Sequence, residues 1–322
     1  MKYIYNNKYF YTEVSMYNVA VLMSTFNGEK YLSEQIDSIL SQKDVNIDLY
    51  IRDDGSSDKT IDIISSYKSK YSNITLFKEK NIGVGNSFME LLYKVPDTYD
   101  YYAFSDQDDI WLDNKILSAI DILNHSNYKL YTSNQTLIDK FNNYLRIRYT
   151  DTENVHLKPI EILFSNKLAG CTMVFDNDFY NLLTDKKHRP SKEILNVRIH
   201  DVWVAMVGSL YDFIIYDKNS YILYRQHDSN VVGAYKQGFF KSIRTKLNKI
   251  FDSSQKNGRS KLAREIYKLF PDKIDSKSLI YYSSRYNLFS SKIHLLLNIK
   301  YLASINNENI IALIFKIIFN FY

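Results

Sequence analysis

The stretch Tyr101–Trp111 reads YYAFSDQDDIW and joins an apolar run to a cluster of acids. The run Tyr101–Phe104 has the composition of a buried strand, and the carboxylates of Asp106, Asp108 and Asp109 follow at once. Clustered carboxylates repel one another and resist removal from water. A hard divalent cation between them relieves both effects. Taken alone, the stretch indicates either a cation site at the end of a strand or a solvated acidic turn.

This stretch is the fourth of four strand–loop–helix units. The earlier strands are predicted at Val19–Ser24, Ile47–Ile51 and Ile74–Phe77, and each is followed by apolar residues at helical spacing. The units recur about every 25 residues, which is typical of a doubly wound parallel sheet. Ligands of such sheets bind beyond the carboxyl ends of the strands.

The loops that follow these strands are unusually polar. They read STFNG (24–28), RDDGSSD (52–58), NIG (81–83) and SDQDD (105–109). Ser57 or Asp58 is expected to cap the second helix, but capping does not explain the adjacent pair Asp53 and Asp54. Neither a GxxxxGK[ST] loop nor a GxGxxG after the first strand is present, so the usual phosphate-binding signatures are missing. A nucleotide would then need its diphosphate neutralised by a metal.

The composition favours a folded protein with a large hydrophobic core, and the cysteine content fits an intracellular location. The 322 residues are 45% hydrophobic and 24% charged, enough for a substantial core. The single cysteine, Cys171, excludes an internal disulfide and fits a reducing compartment. The N-terminus lacks the apolar segment of a signal peptide, and no apolar run has the length of about 18 residues that a membrane span needs.

Charge divides the chain into an acidic front and a basic rear. From Lys236 onward there are 16 Lys and Arg against 5 Asp and Glu, a net charge of +11, whereas residues 1–235 carry −6. We therefore expect an N-terminal extension over residues 1–16, a catalytic domain over 17–235 and a basic helical region over 236–322. An amphipathic helix is predicted from Phe239 to Phe251. It would lie on a membrane surface or pack on the catalytic domain.

The second half of the front region adds strands and one helix. Strands are predicted at Lys129–Leu137, within Leu168–Asp176, and as a pair, Tyr211–Tyr216 and Ser220–Tyr224, around Lys218 and Asn219. Helical spacing covers Arg198–Met206, and two more helical patterns cover residues 277–297 and 299–322. Asp201 stands at the start of its helix, where the macrodipole favours an acid whatever its function.

Seven segments in order resemble the motifs of family 2 glycosyltransferases with a GT-A fold. They are STFNG, IRDDGSSDKT, NIGVGNSF, FSDQDDIW, GCTMVFD, HDVW and YRQHDSNVVGA. The last three are similar to motifs of bacterial rhamnosyltransferases. The resemblance runs from about Asn18 to Ala234. It implies an α/β fold of GT-A type, with a Rossmann-like, mostly parallel sheet flanked by helices. The C-terminal helical region that helical spacing predicts follows this fold and lies outside the resemblance.

The resemblance also implies residue roles on the donor side. The nucleotide-sugar-binding residues would be Ser24, Thr25, Asn27, Asp53, Asp54, Asn81, Gly83, Asp106 and Gln107. Asp54 would accept a hydrogen bond from the pyrimidine N3–H, with Asp53 beside it. Many relatives carry a diphosphate-binding arginine after the third strand. Asn86 stands near that place here, which leaves more of the charge to a metal.

The remaining roles concern the metal and the acceptor. Asp106-Gln107-Asp108 corresponds to the DXD motif, which would hold Mn²⁺ or Mg²⁺ through Asp108 or Asp109. His227 would be either a further metal or diphosphate contact or a structural histidine. Asp201 corresponds to the catalytic base, which a weak hydroxyl nucleophile requires.

The sequence thus predicts an inverting, metal-dependent glycosyltransferase. It would move rhamnose from dTDP-rhamnose, or a hexose from a UDP-sugar, onto a bacterial surface polysaccharide or another glycan acceptor. A lipid-linked acceptor at the cytoplasmic face of the membrane would explain the basic rear, and no nucleic-acid partner is expected. The alternatives are a nucleotidyltransferase acting on a sugar phosphate and a non-catalytic scaffold that docks on membranes.

Overall fold

The computed structural model describes residues 16–150, 157–227, 257–305, 307–319 and 321–322. The predicted N-terminal extension and the predicted helix from Phe239 to Phe251 therefore lie outside the described residues, apart from Met16. The boundary expected at residues 235 and 236 lies there too and stays a prediction.

The first four strand–helix units form as predicted. Strands β1–β5 are Tyr17–Thr25, Val45–Asp53, Ile74–Lys78, Tyr101–Ser105 and Ile110–Trp111, and helices α1–α4 are Leu32–Leu40, Thr60–Lys70, Val84–Leu92 and Lys115–Asn124. The centre of β1, Val19–Met23, is fully buried. Apolar side chains on both faces of one strand are what a sheet covered by helices on both sides requires.

Further elements complete the front region. Strands β6–β9 are Leu130–Ile138, Tyr144–Ile147, Val174–Asp176 and Ile214–Arg225, and helices α5–α8 are Pro159–Phe164, Asn177–Thr184, Lys192–Val197 and His200–Leu210. Within the described residues nine strands make one sheet, in the order β3-β2-β1-β4-β8-β6-β9-β5, with β7 beside β6. Most paired residues belong to the parallel pairs β1–β2, β1–β4, β2–β3 and β6–β9. The predicted α/β fold class is confirmed.

The predicted strand pair around Lys218 and Asn219 is wrong, because the structure has one strand, β9. Both halves of β9 run parallel to β6, and the register shifts where Asn134 of β6 passes the pair. The Asp217 carboxylate accepts the Asn219 N–H at 2.8 Å. Lys218 and Asn219 therefore form a bulge, which accommodates extra residues without reversing the chain.

The C-terminal helices are shorter than predicted. They are α9 Gly258–Leu269, α10 Leu279–Ser284, α11 Phe289–Leu297, α12 Ile299–Ile305 and α13 Ile310–Ile318. Each of the two long patterns is thus divided in two. Asn309, for example, caps α13 by accepting the Ala312 N–H at 3.1 Å, a local bond that favours a helix start over a helix interior.

The C-terminal helices share a hydrophobic core with the front region. Leu262, Ile266 and Leu313 are fully buried in the same apolar cluster as Phe88 of α3 and Trp203 of α8. The described part of the basic rear therefore packs on the sheet-containing part. Among the described residues, no helix combines the length and apolar character needed to cross a bilayer.

Candidate active site

A cleft of about 1320 Å³ opens at the carboxyl ends of β1, β2 and β4. Eleven of the residues singled out in the sequence line it: Ser24, Thr25, Asn27, Asp54, Asn81, Gly83, Asp106, Gln107, Asp108, Asp201 and His227. The two others, Asp53 and Asp109, are buried behind the wall. The parallel sheet thus brings loops from four separate segments to one place, and α8 delivers Asp201 to the same cleft.

Gln107 ties the loop after β4 to the loop after β1. Its side-chain oxygen accepts the Phe26 N–H at 2.9 Å, and its amide donates to the Phe26 carbonyl at 3.1 Å. A Cβ on Gly28 would lie 2.3 Å from that side-chain oxygen. Gly28 is therefore the residue that leaves room for the clamp. Gln107 is positioned by backbone groups and supports the loops in addition to facing the cleft.

Asp53 organises the loop that follows β2. One oxygen accepts the N–H groups of Gly55 and Ser56 at 3.1 and 2.9 Å, and the other accepts the hydroxyls of Ser56 and Thr25 at 2.5 and 3.2 Å. Asn27, with a positive φ of 49°, accepts the Ser57 N–H at 2.8 Å. These bonds hold the loops after β1 and β2 together.

Asp54 joins the β2 loop to the turn after β3. Its carboxylate accepts the N–H groups of Ile82 and Gly83 at 2.9 and 3.0 Å and receives the buried Arg52 guanidinium at 2.5 Å. Arg52 also donates to the Ser87 hydroxyl at 2.8 Å. A carboxylate has about four lone-pair positions. Asp54 therefore retains capacity for one more donor, and its proposed contact with a pyrimidine stays a prediction.

Asn86 points away from the cleft. Its side-chain amide donates to the Asn196 side-chain oxygen at 2.7 Å and to the Ile82 carbonyl at 3.3 Å. It therefore joins α3 to α7 and does not supply the diphosphate contact that an arginine would make at this place.

Three acids and a histidine stand beyond the end of β4. The pKa of Asp106 is raised to about 7, mainly by burial and also by the negative charges of Asp108 and Asp201. The Asp108 carboxylate lies 2.8 Å from Nε2 of His227, whose ring stacks on Tyr31 at 5.1 Å. Asp109 accepts the Arg225 N–H at 3.0 Å through one oxygen, while the other oxygen is buried without a hydrogen-bond partner. Burial raises the pKa of Asp109 well above its usual range.

Behind these acids lie Lys115 and Cys171. The Lys115 ammonium is buried without a hydrogen-bond partner and lies 3.8 Å above the Trp111 ring, and burial lowers its pKa to about 7. One oxygen each of Asp106 and Asp109 and the Cys171 sulfur lie within 4.8 Å of one another. Burial raises the pKa of the thiol well above its usual range. A neutral thiol does not bind metals as a thiolate does, and Mn²⁺ and Mg²⁺ prefer oxygen ligands.

The acids themselves fit a hard divalent cation. Asp106 and Asp108 both face the cleft, the Asp108 charge raises the pKa of Asp106, and Asp109 leaves a buried oxygen without a partner. Three carboxylates with this mutual repulsion are an oxygen-rich donor set.

Asp201 lies in the first turn of α8, where its carboxylate accepts its neighbour's N–H, that of Val202, at 2.6 Å. Burial raises the pKa of Asp201 to about 6, while the Val202 bond and the charges of Arg148 and Arg198 act in the opposite direction. A Cβ on Gly170 would lie 2.5 Å from Nε2 of His200 and 3.3 Å from the Cβ of Asp201. Gly170 thus allows its loop to approach the start of α8 closely.

His200, next to Asp201, is a buried neutral imidazole. Its ring stacks on that of Phe88, with the two ring centroids 3.9 Å apart. Both nitrogens of the imidazole are buried without hydrogen-bond partners. Burial lowers the pKa of His200 to about 3. The ring packs as an aromatic wall of the cleft.

Sequence reasoning missed several cations. Arg148, Lys167 and Arg198 line the cleft, and Arg52 and Arg225 are buried behind it. Arg148 and Lys167 belong to no recognisable spacing. Arg52 and Arg225 stand in two of the segments that carry the family resemblance, and Arg198 stands three residues before Asp201, so a position beside a motif is the signal that could have found these three.

Comparison with known proteins decides the family. The profile described as glycosyl transferase family 2 matches residues 20–178. A dTDP-rhamnosyl transferase, RfbG of Shigella flexneri, is 33% identical over 230 residues, which cover 66% of this chain and 74% of RfbG. This chain belongs to glycosyltransferase family 2. A second relative, an uncharacterized glycosyltransferase of Rickettsia typhi (RT0329), is 29% identical over 222 residues, covering 66% of this chain and 64% of that protein.

Solved structures support the same fold at low sequence identity. Residues 1–349 of TarS from S. aureus, in complex with UDP-GlcNAc, superpose with a TM-score of 0.55 at 15% identity, covering 95% of this chain and 93% of that chain. The mannosyltransferase PcManGT from Pyrobaculum calidifontis, in complex with GDP-Man and Mn²⁺, gives 0.51 at 15% identity, covering 89% and 73%. These likenesses show that this chain shares its fold with these two solved structures.

Proposed function

We propose that this glycosyltransferase is inverting and metal-dependent, and that it transfers rhamnose from dTDP-rhamnose to a glycan acceptor. A UDP-hexose is the second donor candidate. The observation that supports the proposal is that acids from two separate elements, the end of β4 and the start of α8, line one cleft. Asp106 and Asp108 stand at the end of β4, and Asp201 lies close enough to Asp106 to raise its pKa.

In the proposed reaction Asp201 takes the proton of the attacking hydroxyl. The acceptor oxygen forms a bond to the anomeric carbon while the bond from that carbon to the diphosphate oxygen breaks. A carboxylate with a pKa of about 6 is deprotonated at neutral pH and still more basic than an ordinary aspartate. One base and a single displacement reverse the configuration of the anomeric carbon.

The cation would be held by Asp108 and Asp106, with His227 beside Asp108. When bound, it neutralises negative charge that develops on the departing diphosphate. Asp109 would support this set from behind, because it is buried and fixes the Arg225 backbone. Arg148, Lys167 and Arg198 add positive charge to the cleft and take over part of the role of the arginine that Asn86 does not fill.

The donor and acceptor assignments rest on different observations. The similarity to the rhamnosyl transferase of Shigella flexneri supports dTDP-rhamnose. Ser24, Thr25, Asn27, Asn81 and Gly83, which line the cleft beside Asp54, would contact the nucleotide. The basic rear supports a lipid-linked acceptor at the cytoplasmic face of the membrane. Residue choice in the pocket decides between sugars by small energy differences, so the donor needs direct measurement.

A panel of nucleotide sugars tests the proposal. The full chain is incubated with dTDP-rhamnose and with UDP- and GDP-hexoses, with Mn²⁺ or with a chelator, and the released nucleoside diphosphate is measured. We expect metal-dependent release from dTDP-rhamnose above all others, and an inverted anomeric configuration in the NMR spectrum of any transfer product. Equal release with chelator, or retention of configuration, would contradict it.

A further inference from the structure

The outer faces of α11 and α13 expose large apolar side chains. On α11, Phe289, Ile293 and Leu297 are 79%, 40% and 77% exposed, and their spacing of four residues places them on one face. On α13, Ile311 and Phe315 follow the same spacing and are 76% and 53% exposed. In folded proteins, a group of large apolar side chains exposed to water usually marks a site that binds another protein, a membrane or a ligand.

Both helices are anchored on their other sides. Leu295 of α11 and Leu313 and Ile317 of α13 are fully buried in the core. The Lys292 ammonium of α11 donates to the Ile318 carbonyl of α13 at 2.9 Å, so the two helices adjoin. We call the five exposed residues Phe289, Ile293, Leu297, Ile311 and Phe315 the C-terminal apolar surface.

The exposed charge along the chain segment that carries this surface, from Lys277 onward, has one sign. From Lys277 to Tyr322 the chain carries 5 Lys and Arg and a single acid, Glu308. Glu308 is 11% exposed and is bound by Arg259, at 2.9 Å, and by Lys316. Lys300 and Arg285, in contrast, are exposed. A partner of this surface therefore meets apolar groups and cations, with no exposed carboxylate in this segment.

We infer that the C-terminal apolar surface docks on the surface of an anionic lipid bilayer. Short helices with an apolar face and neighbouring cations bind in the plane of a membrane by apolar burial and by attraction to anionic headgroups. A second copy of the chain suits the surface less well, because a symmetric contact would place cations against cations. Docking would hold the cleft near a lipid-linked acceptor. The inference thereby deepens the proposed function, but its test needs no nucleotide sugar.

Vesicle co-sedimentation of the full chain tests the inference. Wild type and the variant Phe289→Ser/Ile311→Ser/Phe315→Ser are mixed with phosphatidylcholine vesicles with and without phosphatidylglycerol. We expect wild type to bind the anionic vesicles, with an affinity that falls as salt is added. The affinity of the variant for these vesicles should be lower by about tenfold or more. Because all three side chains are exposed, the variant should keep the wild-type melting temperature.

Phe141→Ser is the matched control, because Phe141 is 72% exposed in the connection between β6 and β7. It should leave vesicle binding unchanged. Equal binding by the triple variant and wild type would overturn the inference, as would failure of wild type to bind. So would a wild-type dimer, detected by sedimentation equilibrium, that the triple variant dissociates without any change in vesicle binding. Activity on dTDP-rhamnose in solution tests the proposed function separately.

Discussion

Asp201 owes its chemistry to burial at the start of a helix. Burial raises its pKa to about 6, and only the deprotonated carboxylate can accept a proton. At a saturating concentration of Mn²⁺, which would keep Asp106 deprotonated, the rate should therefore be constant above about pH 7 and fall tenfold per pH unit well below about pH 6. Arg148→Gln should move this limb to higher pH, because the Arg148 charge lowers the Asp201 pKa. A pH–kcat/KM profile measures both, and a profile that stays flat below pH 6 would count against Asp201 as the base.

His200 makes a separate prediction about stability. Its pKa is lowered to about 3 in the folded chain, whereas unfolded histidine titrates near 6.5. The unfolded state therefore binds more protons between these values, and stability is lost as pH falls from about 6.5. At pH 5 the loss is about 2 kcal/mol. The free energy of unfolding in urea is measured at pH 7 and at pH 5 for wild type and for His200→Phe. The fall in this free energy between pH 7 and pH 5 should be smaller in His200→Phe than in wild type by this amount. An equal difference would show that His200 does not titrate on unfolding.

Single residues can be singled out from the sequence where their chemistry has a signature. Asp106, Asp108 and Asp201 are recognisable as acids at a strand end and at a helix start, and the structure brings all three to one cleft. Their roles stay predictions. Arg52 stands beside Asp53 and Asp54 in sequence, but its burial could not be predicted. It depends on Ser87 and the Lys80 carbonyl, which come from the next unit of the chain, as well as on Asp54. Asp109 resembled its neighbours in sequence, and only the fold places it behind the cleft wall.

At the scale of elements, the clamp between the loops after β1 and β4 is open to test. Gly28→Ala places a Cβ 2.3 Å from the Gln107 side-chain oxygen, so the clamp must open. We expect donor KM to rise by about tenfold, the equivalent of one or two lost hydrogen bonds, with little change in melting temperature. Gln107→Ala removes the clamp without a clash and should have a similar effect. An unchanged KM in both variants would mean that the clamp does not shape the donor site.

The strand–helix repeats were predictable, whereas pairing partners were not. Period and loop chemistry locate β1 to β4 and predict that their loops meet. Lys218 and Asn219 look like a turn in sequence, but β9 continues because β6 offers hydrogen-bond partners on both sides of them. The short helices of the rear illustrate the same limit, since a cap such as Asn309, in the polar segment between Ile305 and Ile310, starts a new helix inside a region that helical spacing alone had joined.

At the scale of the whole molecule, ligand binding should stabilise the fold. A cation that binds only the folded chain raises its stability by about 2.7 kcal/mol at a concentration 100 times Kd. The melting temperature should therefore rise on adding Mn²⁺ with dTDP, and a chelator should reverse the rise. Asp108→Asn should abolish most of it, while Asp121→Asn on the exposed face of α4 should not. A rise of equal size in Asp108→Asn would exclude Asp108 from the metal site.

The central claim is that one carboxylate, Asp201, drives transfer while the acids after β4 hold the leaving group. Single-turnover kinetics of Asp201→Asn with a donor that wild type uses test this claim most directly, with donor affinity measured by calorimetry on the same preparation. Asp62→Asn, an exposed acid in the first turn of α2, is the matched control. We predict unchanged donor affinity and a rate lowered by about 10²–10⁴-fold in Asp201→Asn alone. A wild-type rate in Asp201→Asn would contradict the account.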